Sequence, residues 1–200
     1  MKNKDFLIQI LLELRRNGIN NQNLLKTIEQ LPPHYFLSLN DKQSFNKINI
    51  NELIAITKLL DISFSSKKKI ENVFFLGIKK GWTLALASKL AKRIYSLCVD
   101  KYEKEKLELF YKNNNFSNIY LKEGKKISCW QKVAPFDIII FFNLNNYFPE
   151  IIKNYLSKNG VAIIPRINEN NDIEICKLSK SYDISFLNIN FNFIQKSDLI

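Results

Sequence analysis

Val73-Phe74-Phe75-Leu76-Gly77, the helix-like run from Leu84 to Ala91, and then Ile94-Tyr95-Ser96-Leu97-Cys98-Val99 form the stretch that decides the fold. A short apolar run stopping at glycine, a helical pattern and a second apolar run together read as a strand–helix–strand unit. The series continues downstream. A charged helix is expected from Tyr102 to Tyr111, strands at Asn118 to Leu121, Phe136 to Phe142 and Gly160 to Ile164, and a helix at Pro149 to Leu156. Apolar strands alternating with helices argue for a parallel sheet covered on both faces. The tail reads differently: Ile173 to Leu178 and Ser185 to Ile194 alternate with period two, as antiparallel edge strands do.

Upstream of the stretch the pattern is helical. Phe6, Leu7, Ile10, Leu11 and Leu14 recur at helical spacing, Arg15-Arg16 suit a last turn, and Gly18 suits a C-cap. A second helix is expected from about Asn21 to Leu31, with Leu24, Leu25 and Ile28 inward, stopping at Pro32-Pro33. A third begins after Asn49, whose spacing to Glu52 resembles a capping box, and buries Leu53, Ile54, Ile56, Leu59 and Leu60. With no repeats and no hinge-like linker, residues 1–200 read as a single α/β domain with a helical N-terminal extension.

Composition narrows the class. Hydrophobic residues make up 46% of the 200, enough for a sizeable core, which excludes a disordered chain. No apolar run approaches the roughly 18 residues of a membrane span, so neither a span nor a secretory signal is expected. Cys98, Cys129 and Cys176 are odd in number, far apart and without a CxxC pair. That fits a reduced cytoplasmic protein with neither a disulfide framework nor a zinc site. His34 is the only histidine, which excludes mechanisms needing two imidazoles. Lys+Arg 30 against Asp+Glu 19 gives +11, which admits an anionic partner such as nucleic acid. Lysine, asparagine and isoleucine are all heavily used, however, and along the chain the basic residues look scattered. Compositional drift is therefore placed ahead of nucleic-acid binding.

The segments Leu14-Arg15-Arg16-Asn17-Gly18-Ile19, Leu24-Leu25 and Leu31-Pro32-Pro33-His34-Tyr35-Phe36, followed by Val73 to Trp82, Lys92-Arg93-Ile94-Tyr95-Ser96, Ala134-Pro135-Phe136-Asp137, and Asn159-Gly160-Val161 with Pro165, resemble the protein-L-isoaspartate O-methyltransferases. The spacing agrees from about residue 10 to 166. The resemblance implies a Rossmann-like class I methyltransferase fold: a helical extension over 1–62, a Rossmann-like core over 70–166 and C-terminal strands over 167–200. It also implies methyl transfer from S-adenosylmethionine to isoaspartyl carboxylates of damaged proteins, by a monomer without metal.

The same resemblance assigns site positions and exposes departures. The family's acidic-x-G-x-G-x-G loop reads Phe75-Leu76-Gly77-Ile78-Lys79-Lys80-Gly81-Trp82, so Gly77 and Gly81 remain while Lys79 stands at the middle glycine. The ribose-binding acid at the end of strand two is Cys98, with Asp100 two residues on and read as a helix N-cap. The Gly-Asp-Gly after strand three is Gly124-Lys125-Lys126, with Glu123 the only acid beside it. The substrate loop Phe45 to Asn51 carries no serine, threonine or proline, leaving Asn49 and Asn51 as donors. Gly77, Lys79, Gly81, Trp82, Cys98, Gly124 and Lys125 are thus the expected cofactor-binding positions, and no catalytic residue is assigned. The expectation is a retained scaffold that has lost cofactor binding and persists as a scaffold or binding protein. The alternatives are an active carboxyl methyltransferase with rearranged contacts, and a basic nucleotide or nucleic-acid binder.

Overall fold

Two local signals begin the chain. Gly18 takes φ +83, a left-handed conformation that suits glycine, and the N–H groups of Gly18 and Ile19 close onto Arg15 O and Leu14 O. That ends helix α1 (Lys2–Arg16), and Asn21 opens α2 (Gln22–Gln30) by accepting from Leu24 N at 3.1 Å. The structure, a computed structural model, describes residues 2–39, 50–65, 69–77, 81–98, 100–142, 150–170, 172–181 and 184–187.

The remaining elements follow in the expected alternation. They are α3 (Ile50–Phe64), β1 (Asn72–Leu76), α4 (Gly81–Ser88), β2 (Arg93–Cys98), α5 (Lys101–Asn113), β3 (Ile119–Glu123), β4 (Phe136–Phe141), α6 (Glu150–Tyr155), β5 (Leu156–Ile167), β6 (Ile173–Ser179) and β7 (Ile184–Leu187). The strands form one sheet in the order β3-β2-β1-β4-β5-β6-β7, with β1 to β5 paired in parallel and β6 and β7 added antiparallel. This is an α/β Rossmann-like fold. The tail beyond Leu187, including most of the expected second edge strand, lies outside the described residues.

Two differences from the sequence reading have physical causes. The helix expected from Leu84 to Ala91 ends at Ser88. There the Asn118 amide donates to the carbonyls of Ser88, Ala91 and Lys92, capturing the chain as it turns into β2. Two 3-10 segments, Pro33–Leu39 and Ile127–Val133, were not expected, because short 3-10 turns leave no apolar period to read.

Alternation within the strands splits the core between the two faces of the sheet. Val73, Phe75, Ile94, Ile138, Ile140 and Ile163 pack with the helices of the N-terminal extension and with α4 and α5. Phe74, Tyr95, Leu97, Phe136, Ile139 and Ile164 pack with Trp130 and Ile152 on the other face. The motifs that survive best serve this scaffold. Asp137 Oδ2 accepts from Glu71 N at 2.9 Å and Asn72 N at 3.2 Å, while its Oδ1 accepts from Ser157 Oγ at 2.8 Å. Gly160 sits where a Cβ would lie 2.8 Å from both Phe136 O and Ser157 N. Backbone cannot yield cheaply at that distance. Gly160→Ala is therefore expected to lower stability by about 1–3 kcal/mol, read as a shift in the urea midpoint at unchanged m-value; a shift below a few tenths would show that the β4–β5 crossing is slack.

Candidate cofactor edge

In an open parallel sheet, ligands bind beyond the carboxyl ends of the strands, where loops diverge. Here β1 runs into Gly77 at φ +86, β2 ends at Cys98, and β3 ends at Glu123 opposite Cys98. Gly124, at φ +152, donates its N–H to Cys98 O at 3.0 Å. A Cβ there would meet Cys129 Sγ at 2.7 Å, so both the backbone angle and the close approach call for glycine. Gly77, Cys98 and Gly124 therefore share one edge. Lys125 follows with its side chain exposed.

The helix leaving the loop is pinned from two sides. Tyr111 of α5 donates its phenol to Gly81 O at 2.8 Å, and Trp82 Nε1 donates to Leu31 O at 2.8 Å, tying α4 to the end of α2. Both side chains are buried, and Trp82 has its indole N–H committed to this anchor. Tyr111 was missed by the sequence reading; its only signal is an aromatic residue closing a helix otherwise rich in charge. Lys79 and Asn49 lie outside the described residues. Asn51 is exposed in the first turn of α3.

The chemistry of the edge is apolar where acids were expected of a family member. Phe75 is fully buried, its ring stacked 6.0 Å from that of Phe142. Burial pushes the Cys98 thiol up from an ordinary 9.0 to about 12, with the Glu103 and Glu108 carboxylates adding to the shift. Cys98 is thus neutral and offers no anionic acceptor. Asp100 Oδ1 accepts from Glu103 N at 2.8 Å, the N-cap that the sequence indicated. Glu123 is exposed. Phe75, Cys98 and Lys125 thus stand where the family resemblance places acidic acceptors for the cofactor's ribose and adenine. No group of three or more His, Cys, Asp or Glu side chains is placed to hold a metal ion among the described residues. No helix among them is long and apolar enough to cross a membrane.

The raised thiol has a consequence for stability. A folded-state value above the unfolded one leaves the folded state holding its proton while the unfolded thiolate forms, so stability is full below about pH 9 and declines as pH rises towards 12. Between pH 8 and 10 the wild type should lose on the order of 1 kcal/mol through this group. Cys98→Ala should show a flatter alkaline limb in urea titrations at the two pH values. Equal slopes in the two proteins would refute the assignment.

Comparisons with known proteins agree with the fold. No family model matches the chain. The protein-L-isoaspartate O-methyltransferase of Dictyoglomus turgidum is 28% identical over 164 residues, 76% of this chain and 72% of the relative. That of Maricaulis maris is 24% identical over 176 residues, 84% of this chain and 82% of the relative. A solved protein-L-isoaspartate O-methyltransferase superposes with a TM-score of 0.68 at 13% identity, covering 90% of this chain and 63% of that one. A Plasmodium falciparum structure described as a putative enzyme of the same name, in complex with S-adenosyl-L-homocysteine, gives 0.62 at 17% identity, covering 89% and 91%. At such identities the two structures speak for the fold.

Proposed function

We propose that this chain, a divergent homologue of the protein-L-isoaspartate O-methyltransferases, keeps their scaffold, has lost productive binding of S-adenosylmethionine, and acts as a monomeric scaffold or binding protein in the cytoplasm. Methyl transfer to isoaspartyl carboxylates, with damaged proteins as partners, is the activity of the lineage. The observation that carries the loss is at the end of β2. Where the family resemblance calls for a carboxylate there is a buried, neutral thiol, and Asp100, two residues on, is held by a helix cap.

Magnitudes support the reading. Hydrogen bonds to charged groups contribute roughly 1.5–3 kcal/mol each, so replacing three acids (by Phe75, Cys98 and Lys125) costs on the order of 4–9 kcal/mol. At about 1.4 kcal/mol per decade, a micromolar site becomes millimolar or weaker. The test is calorimetric titration of S-adenosylhomocysteine into the wild type and a Lys79→Gly, Lys125→Asp variant. The wild type should show no saturable heat below about 1 mM, and the variant should recover part of the binding. A micromolar isotherm in the wild type, together with methylation of an isoaspartyl peptide, would overturn the proposal. It would favour retained catalysis through rearranged contacts such as Asp100 and Glu123.

A further inference from the structure

Four of the 30 basic residues, Lys122, Lys125, Lys126 and Lys132, fall at the end of β3 and in the 3-10 segment that follows it, and this stretch borders an aromatic ladder on the β3 side of the sheet. Among the described residues β3 is the last strand on its side, and its residues Tyr120 and Lys122 stand in register with Tyr95 and Leu97 of β2, on the same face. The Tyr120 ring stacks on Tyr95 with centroids 5.2 Å apart and an interplanar angle of 22°, and Trp130 meets Tyr95 edge-on at 5.0 Å. Trp130 is fixed by its own bond to Ser96 O at 3.0 Å. Lys122 Nζ lies 4.1 Å from the Trp130 ring centroid and donates to Cys129 O at 3.0 Å, so its charge is held over the ladder by neutral groups. Tyr95 and Trp130 are buried, whereas Tyr120 is 42% exposed at the rim.

The charge around this ladder is unbalanced. Residues 122–132 hold four lysines (Lys122, Lys125, Lys126 and Lys132) against one acid, Glu123. All four lysines are exposed. Several cations elsewhere are paired: Glu71 alone gathers Lys69, Lys92 and Arg93, and on α5 Lys101 pairs with Glu105 and Lys104 with Glu108. Lys125, Lys126 and Lys132 join no ion pair among the described residues.

We propose that this edge, formed by Tyr120 and Lys122 of β3 with Lys125, Lys126 and Lys132, is a docking surface for single-stranded nucleic acid, with a base stacking on Tyr120 and phosphates facing the lysines. Charge complementarity sets the sign of the partner, and the half-exposed ring selects one that carries flat, stackable groups. Sequence-tolerant single-strand binding combines these two features. The surface does not require S-adenosylmethionine, so it stands or falls separately from the loss of cofactor binding.

The test is fluorescence anisotropy of a labelled oligothymidylate of about 12 nucleotides with the full chain. Binding should weaken with salt at a log–log slope near −2, the value for three phosphates at about 0.7 each. Lys125→Glu with Lys126→Glu should weaken binding at least about tenfold and reduce the slope, while Lys112→Glu with Lys158→Glu, an equal charge change outside the cluster, should change it by less than about twofold. Tyr120→Leu, which keeps apolar cover over Tyr95, should still weaken binding about fivefold or more, with an unchanged thermal midpoint showing that the fold is intact. The proposal is overturned if the oligonucleotide does not bind, if both lysine pairs weaken it equally, or if an abasic strand, polyglutamate or phosphatidylserine vesicles bind as tightly.

Discussion

Asp137→Ala should lower folding stability by about 3–5 kcal/mol, a large part of the roughly 5–15 kcal/mol that a domain of this kind possesses. One carboxylate accepts three hydrogen bonds, from Glu71 N, Asn72 N and Ser157 Oγ. It thereby joins the start of β1 to the start of β4 and to β5. Each bond to a charged acceptor contributes roughly 1.5–3 kcal/mol, and Asp137 is half-buried, so the low end applies. Asp137→Asn keeps an acceptor oxygen towards the two backbone N–H groups and should cost only about 1 kcal/mol. Urea denaturation of both variants decides the matter. A loss under 1 kcal/mol for alanine would mean that the clamp contributes little.

Phe136→Ala should cost about 3–5 kcal/mol, the usual range for removing a fully buried phenylalanine. Phe136 has no exposed surface, and its ring lies 5.4 Å from Phe74 and 5.7 Å from Tyr95. Tyr95 in turn supports Tyr120 and Trp130, so the cavity should loosen the whole ladder. Two measurements check this. The urea midpoint should fall in proportion to the stability lost, and near-ultraviolet circular dichroism should lose amplitude even under conditions where the protein remains folded. Full retention of the aromatic signal would show that the ladder is held by Trp130 and Ser96 without help from Phe136.

The cofactor edge was legible in part. Gly77, Cys98 and Gly124 fall together because motif spacing places each one at the carboxyl end of a parallel strand, and parallel pairing brings those ends to one side. What the spacing did not contain is how far each side chain is committed. That Trp82 gives its N–H to Leu31, and that Tyr111 holds Gly81, depends on how helices pack across the sheet. Nor did the spacing show that Lys122 lies over the Trp130 ring, or that Tyr120 and Trp130 both pack on Tyr95 of the neighbouring strand.

The sequence alone determined the order of the α-helices and β-strands, though not the two 3-10 segments, because helical and strand periods are local and Gly18, Asn21 and Asp100 carry their own start and stop chemistry. It also determined that acids are missing from the expected cofactor positions, since a residue's identity does not depend on its neighbours. The tertiary structure decided what replaces them and what surrounds them. Asp137 finds Glu71 across 66 positions of chain, Trp82 finds Leu31 across 51, and Tyr111 finds Gly81 across 30. Such contacts are set by sheet register and helix docking, which arise from summed burial over the whole core, and no short stretch of residues encodes them.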